Sequence, residues 1–159
     1  MRVTRSTQAQ DRNGVDYWVR LYNENKLGVD VKIRRNDWAK RGHDDLALET
    51  FSVREKWIEG WSRNPDKRCD YILWLWQDTG RWCLIPFPML CAVMRETWLE
   101  WLCTFKFARQ QTTDRSMPYT SECVFVPRRV VWAAIYRRFG GAPPVSESKV
   151  VPSSDGQVE

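Results

Sequence analysis

Four residues carry the groups that metal-assisted hydrolysis requires: Asp16, Asp30, Lys32 and Glu49. Asp30 and Lys32 are two positions apart, so an extended strand places both side chains on one face. Carboxylate oxygens are the ligands that Mg²⁺ and Mn²⁺ prefer, and such a cation activates water for attack on a phosphodiester. The residue types and their spacing therefore indicate phosphodiester hydrolysis. In this interpretation the carboxylates bind the metal, and the lysine orients the water.

A predicted β-hairpin positions these groups. Apolar and polar side chains alternate over residues 15–22 and again over residues 27–34, which is the pattern of two half-buried strands. The segment between them, residues 23–26, is rich in asparagine, which suits a turn.

The register of this hairpin follows from its apolar positions. Both strands are apolar at odd positions, so burial of one shared face requires odd residues to pair with odd residues. A three-residue turn predicts Val19 opposite Val29 and Asp16 opposite Lys32. Asp30 is then diagonal to Asp16 on a polar, solvent-facing side, at a distance from which two carboxylates can share one cation.

The rest of the chain indicates an α/β (α+β) domain, with a mixed central β-sheet that contains hairpins and is flanked by helices. The further predicted strands are Leu46 to Ser52, Asp70 to Trp76, Arg81 to Pro86 and Cys123 to Val126. The predicted helices are Phe87 to Phe107 and Pro127 to Gly141. Residues 53–68 are predicted as loop or short helix, and residues 108–121 as polar loop.

Length and composition favour one intracellular domain. A chain of 159 residues usually forms a single domain. We expect residues 1–12 to form a polar lead-in, residues 13–141 the domain and residues 142–159 a disordered tail. No stretch approaches the ~18 consecutive apolar residues of a membrane helix. The first sixteen residues lack the apolar segment of a secretory signal, so a cytoplasmic location is expected.

Cysteine and histidine chemistry is disfavoured as the basis of function. The five cysteines are an odd number and contain no C-x-x-C pair, which speaks against a disulfide framework and against a zinc site. His43 is the single histidine and lies in a polar Arg-Gly-His-Asp-Asp segment, so we expect no catalytic role for it.

Basic and aromatic residues after the hairpin predict a nucleic-acid surface. The net charge is +5, and cations that can neutralise phosphates cluster just beyond Lys32. Tryptophans lie among basic residues, where they could stack on bases, although filling the core is the competing role for the ten tryptophans. The predicted contacts are Arg34, Arg35, Lys40, Arg41 and Trp38; Trp18, Trp57 and Trp61 are further stacking candidates.

The arrangement resembles the PD-(D/E)XK nuclease superfamily, and in particular its small phage-type members. The resemblance covers about residues 11–86 and is carried by Asp16, the Asp30-x-Lys32 doublet and Glu49. It implies a restriction-endonuclease-like core and endonuclease- or exonuclease-type cleavage of nucleic acid, with DNA favoured as substrate and Mg²⁺ or Mn²⁺ as cofactor. It also implies that the carbonyl of Val31 binds metal. The helix that usually precedes the first strand is not predicted here.

Two other functions stay open on the sequence alone. One is a catalytically inactive, nuclease-derived module that binds nucleic acid through the same basic residues. The other is a protein-binding inhibitor or accessory factor whose tryptophans form the interface. A homodimer is compatible with each of these functions, and no membrane contact is expected.

Overall fold

Two β-sheets form the framework of the computed structural model, which describes residues 1–113 and 118–140, except for the side chain of Lys40. Strands are numbered in chain order. The first sheet has the spatial order β1 (Arg2–Arg5), β2 (Tyr17–Arg20), β3 (Lys26–Arg34), β6 (Tyr71–Trp76), β7 (Trp82–Pro86). The second has the order β5 (Ile58–Glu59), β4 (Asp45–Val53), β9 (Tyr119–Pro127), β8 (Phe107–Thr112). Strands β3 and β6 are parallel, and the other paired strands are antiparallel.

Three α-helices complete this mixed α+β fold: α1 (Gln8–Arg12), α2 (Phe87–Thr104) and α3 (Arg128–Phe139). Prolines at the starts of α2 and α3 suit the first turn, and Gly140 ends α3 in the left-handed conformation. Helix α2 contacts β6 and β7 of the first sheet and β9 of the second. Among the described residues, no helix has the length and apolarity needed to cross a membrane.

The predicted hairpin is present, but its register is shifted. Tyr17 pairs with Val29 and Arg20 with Lys26, so five residues rather than three form the turn. Glu24 takes a left-handed conformation in this turn. Asp16 precedes β2 and does not lie opposite Lys32, so that part of the prediction is wrong. The cause is the longer turn, which shifts the residues of β2 by two positions relative to their predicted partners on β3.

The polar face of β3 points inward, contrary to the prediction, although Val29 on the other face is buried as well. Asp30 is only 3% exposed, whereas Ile33 is 62% exposed. Asp30 and Lys32 pair in register with Ile72 and Trp74 of β6, whose side chains are buried. Charged residues of β3 therefore lie on the inner face of the first sheet beside apolar core residues. Ion pairs and contacts with aromatic rings stabilise them there.

Other predicted elements are confirmed with changed bounds, and three are wrong. The second hairpin and the two long helices are present; the first of these helices ends at Thr104. The lead-in over residues 1–12 forms β1 and α1, and residues 108–121, predicted as loop, contribute to β8 and β9. The strands divide between two sheets instead of one central sheet. The predicted tail, residues 142–159, lies outside the described residues.

A close backbone contact fixes the segment that follows β5 against β4. The Gly60 amide donates to the carbonyl of Thr50 at 3.0 Å. A Cβ atom at Gly60 would lie 2.2 Å from the carbonyl oxygen of Glu49, which is closer than real contacts allow. Only glycine therefore permits this approach beside Glu49.

We expect Gly60→Ala to lower the free energy of unfolding by about 1–3 kcal/mol, because the backbone of β4 must move to admit the methyl group. Urea denaturation measures this loss. Gly28→Ala is the comparison, since its Cβ would come no nearer than 3.1 Å to a neighbouring atom and should cost less. Equal midpoints for Gly60→Ala and the wild type would contradict this description of the contact.

Candidate functional site

A buried carboxylate held by two ammonium groups lies at the centre of the inner face. Asp30 on β3 has Oδ2 at 2.9 Å from Nζ of Lys32 and at 2.7 Å from Nζ of Lys67. Nζ of Lys32 also donates to Oδ1 at 3.0 Å. We call these three residues the acid–lysine cluster. Burial of an isolated carboxylate is strongly unfavourable, and the two lysines supply the counter-charges that this position requires.

The local backbone makes room for the second lysine. Lys67 is buried, and its ammonium group lies beside Gly14, which follows α1 and has φ +83°. A Cβ atom at Gly14 would lie 2.3 Å from Nζ of Lys67. Glycine is therefore required at this position both by the conformation and by the contact.

Glu49 on β4 approaches the same region from the second sheet. Its Oε2 accepts a hydrogen bond from the backbone amide of Trp61 at 2.9 Å. The Trp61 ring lies 5.2 Å from Nζ of Lys32, a cation–π contact. Trp61 thus connects Glu49 with the acid–lysine cluster across the space between the two sheets.

A polar cavity of about 280 Å³ opens beside these groups. We call it the inter-sheet cavity. Its walls contain Glu49, Trp61 and Lys67, together with further residues from the end of α1, from β4 and β5, and from the loop before β6. These are Arg12, Asn13, Gly14, Ser52, Glu59, Asn64 and Asp66. Carboxylates and an ammonium group around a polar cavity suit a hard cation or a phosphate group.

Asp16 and Val31 lie elsewhere. Oδ2 of Asp16 accepts a hydrogen bond from the Val31 amide at 2.6 Å, at the edge of β3 where β2 has not yet begun. Both residues line a separate cavity of about 420 Å³, with Asp11 and Ile33. The structure therefore pairs Asp30 with Lys32, connects Glu49 to Lys32 only through Trp61, and places Asp16 and Val31 at a different cavity.

The thiol nearest the acid–lysine cluster is not a reactive one. Burial raises the pKa of Cys69 to about 12, although the charge of Lys67 opposes this rise. Cys69 is therefore a neutral thiol at physiological pH and contributes packing.

The predicted phosphate contacts divide into buried and exposed groups. Arg34 pairs with Asp45 at 3.3 Å and packs over the rings of Trp74 and Phe125, so it belongs to the interior. Arg35 and Arg41 are exposed, and Trp38 is 39% exposed, with the Arg41 guanidinium 4.6 Å from its ring centre. The side chain of Lys40 lies outside the described residues.

The three further stacking candidates also differ. Trp18 and Trp61 pack against the core. Trp57 is 71% exposed and has a left-handed backbone, which is uncommon for a bulky residue. Of these three tryptophans, Trp57 is the one whose ring is available to a partner.

The loop that carries Trp38 and Arg41 is anchored by ion pairs. Arg81 donates to both oxygens of Asp37, at 2.7 and 2.9 Å, and to Asp44 at 2.9 Å. The hydrogen bonds from Arg81 lower the pKa of Asp37 to about 2. Arg128 holds Asp44 from the start of α3.

Lys67 and Trp61 are the site residues that sequence reasoning did not assign to chemistry. Lys67 belongs to no motif with Asp30, because a loop and two strands separate them in the chain. Trp61 was identified only as a stacking candidate. Both residues lie in residues 53–68, a segment rich in charged residues and tryptophan but without clear periodicity. This composition is the one sequence feature that could have pointed to them.

No protein-family model, curated protein or solved structure matches this chain significantly. The acid–lysine cluster, the inter-sheet cavity and the exposed cations are therefore the basis for a functional proposal.

We expect Asp30→Asn to lower the free energy of unfolding by about 3–5 kcal/mol, because it leaves two inward-facing ammonium groups without their counter-charge. Chemical denaturation measures the loss, and Asp30→Asn/Lys67→Met should recover part of it. Glu24→Gln is the matched control: it removes an exposed pair with Arg20, which is worth about 0.2–1 kcal/mol. A loss for Asp30→Asn no larger than that of the control would show that the cluster is not buried.

The Asp37–Arg81 contact predicts acid sensitivity. The pKa of Asp37 in the folded protein is about 2, below its ordinary value of 3.8. The contribution of this ion pair to the free energy of unfolding is therefore complete above about pH 4 and is lost as the pH falls toward 2. The loss amounts to about 2 kcal/mol. Denaturation across this range should show a shallower pH dependence for Asp37→Asn than for the wild type. Parallel pH profiles would contradict the assignment.

Proposed function

We propose that this chain is a metal-dependent nuclease that hydrolyses phosphodiester bonds of nucleic acid, with DNA the favoured substrate and a restriction-endonuclease-like core. The observation that supports it best is the Asp30–Lys32 pair, to which Trp61 connects Glu49 through its ring and its backbone amide. Two hard carboxylates beside a fixed ammonium group are the groups that this reaction uses.

The donor chemistry fits a divalent cation. Among the described residues, no three His, Cys, Asp or Glu side chains form a metal-binding group. Mg²⁺, however, is usually held by one or two carboxylates, with water and substrate phosphate as the other ligands. Asp30 and Glu49 would hold it, with Lys67 yielding its contact to Asp30. A bound cation would supply Lewis-acid polarisation of the phosphoryl group and a lowered pKa of water.

The chain's own residues orient the reactants. In the reaction the oxygen of water forms a bond to phosphorus, the ester P–O bond breaks, and the leaving oxygen takes up a proton. Lys32 is held by Asp30 and by the Trp61 ring yet keeps part of its surface exposed. It can therefore donate to the attacking water or to a phosphate oxygen without losing its position.

Exposed cations beyond β3 would hold the nucleic acid. Arg35 and Arg41 neutralise phosphates in this proposal, and Trp38, already covered by Arg41, offers an aromatic face to a base. Because the Asp37–Arg81 contact fixes this loop, its cations are held in place before the ligand arrives.

A second candidate is nucleic-acid binding without catalysis. The specific observation in its favour is that both ammonium groups already occupy the Asp30 carboxylate. If neither lysine yields, the acid–lysine cluster is an internal ion-pair network, and the exposed basic residues alone carry function.

Glu49→Gln is the variant that tests the nuclease proposal. The amide oxygen still accepts from Trp61, but the charge that a hard cation requires is gone. We expect Mn²⁺ affinity in calorimetry and cleavage of labelled single-stranded, duplex and branched DNA to fall together, by orders of magnitude for cleavage. Thermal stability and nucleic-acid binding should be retained.

Asp66→Asn is the matched control, because Asp66 lines the same cavity and loses the same charge. It should resemble the wild type. Equal behaviour of the two variants would contradict a metal role for Glu49. A wild type that binds nucleic acid but neither binds Mn²⁺ nor cleaves would establish the second candidate.

A further inference from the structure

Three cations stand in a row across the edge of the first sheet. Arg2 on β1 pairs directly with Arg20 on β2, and Arg20 pairs directly with Lys26 on β3. Directly opposite residues project to the same side of a sheet, where like charges destabilise the pairing. The three side chains are exposed, and an anion that bridges them would relieve this repulsion.

The row borders a cavity of about 410 Å³ whose wall is strongly positive. We call it the basic cavity. Its lining residues are Arg2, Thr4, Arg5, Gln10, Trp18, Arg20 and Lys26. Four of the seven are cations, and none of them is acidic. Within the described part of the chain, Arg2, Arg5 and Lys26 have no ion-pair partner, and Arg20 pairs only with the exposed Glu24 at 3.2 Å.

A neutral polar side chain adds to the cations, because Gln10 lies in the same wall. Trp18 also lines the basic cavity, but its Nε1 is buried. Cations together with an amide side chain suit a ligand that is anionic and rich in acceptor oxygens, and a phosphodiester has both properties.

Helix α1 separates the basic cavity from the inter-sheet cavity. Gln10 lines the first and Arg12 the second. Two residues along an α-helix point about 200° apart around its axis, so the two cavities lie on opposite sides of the same short element. A ligand reaches from one to the other by passing around this five-residue helix.

We propose that the basic cavity binds the sugar-phosphate backbone of nucleic acid and guides it to the inter-sheet cavity. This inference rests on the proposed nuclease function, because it places the substrate beside that site. Arg2, Arg5, Arg20 and Lys26 contact phosphates, so the cavity sets affinity and position and not base sequence.

The experiment compares Arg2→Gln/Lys26→Gln with Arg129→Gln/Arg137→Gln, which removes two exposed cations from α3. Binding of a fluorescently labelled DNA duplex is measured by anisotropy over a series of salt concentrations. The slope of log Kobs against log salt should fall by about 0.9 for each lost phosphate contact in the first variant only. Its melting temperature should equal or exceed that of the wild type, because repulsion across the strands is relieved.

Cleavage kinetics with Mn²⁺ separate this inference from the proposed function. We expect Arg2→Gln/Lys26→Gln to raise KM and leave kcat unchanged, because neither residue touches the reacting groups. If the wild type cleaves DNA and the two double variants have the same salt slope and the same KM, the role of the basic cavity is overturned while the nuclease proposal stands. A wild type that neither binds nor cleaves DNA would overturn both proposals. Preference for anionic phospholipid vesicles over DNA would identify a different partner and also overturn the inference.

Discussion

The buried charge of Asp30 is the constraint on which the rest of this structure depends. A carboxylate at 3% exposure is tolerated only with close counter-charges, and the chain supplies two, Lys32 from the same strand and Lys67 from a distant loop. The contact with Lys67 in turn leaves room only for glycine at Gly14. One ion-pair cluster therefore joins β3, the loop before β6 and the segment after α1.

The same constraint explains why the polar face of the hairpin points inward. The aromatic ring of Trp61 covers Lys32, and Arg34 lies over Trp74 with Asp45 as its partner. The space between the two sheets is thus lined by charges and rings as well as by aliphatic side chains. Glu49 reaches it from the second sheet, so the site depends on how the two sheets meet, and no single hairpin could form it.

Local patterns in the sequence predicted the elements that depend on local physics. Alternation identified β3, a turn signal over residues 77–80 identified β6 and β7, and helical spacing of apolar residues identified α2. The same alternation gave the wrong buried face, because Ile33 is exposed while Asp30 is paired through Lys67, a contact that no local pattern contains. Residues 107–112 were missed as a strand since five of the six side chains are exposed and carry no apolar alternation. The strands that carry Lys32 and Glu49 could be predicted, but the separation of Asp16 from these residues required the register.

Paramagnetic broadening by Mn²⁺ locates a bound cation most directly. In amide NMR spectra of isotopically labelled protein, the proposed site predicts that small additions of Mn²⁺ broaden Asp30, Lys32, Glu49 and Trp61 before other amides. Wild-type signals that broaden first at Asp11 and Tyr17, around the cavity that holds Asp16, would contradict the assignment, as would spectra that do not change.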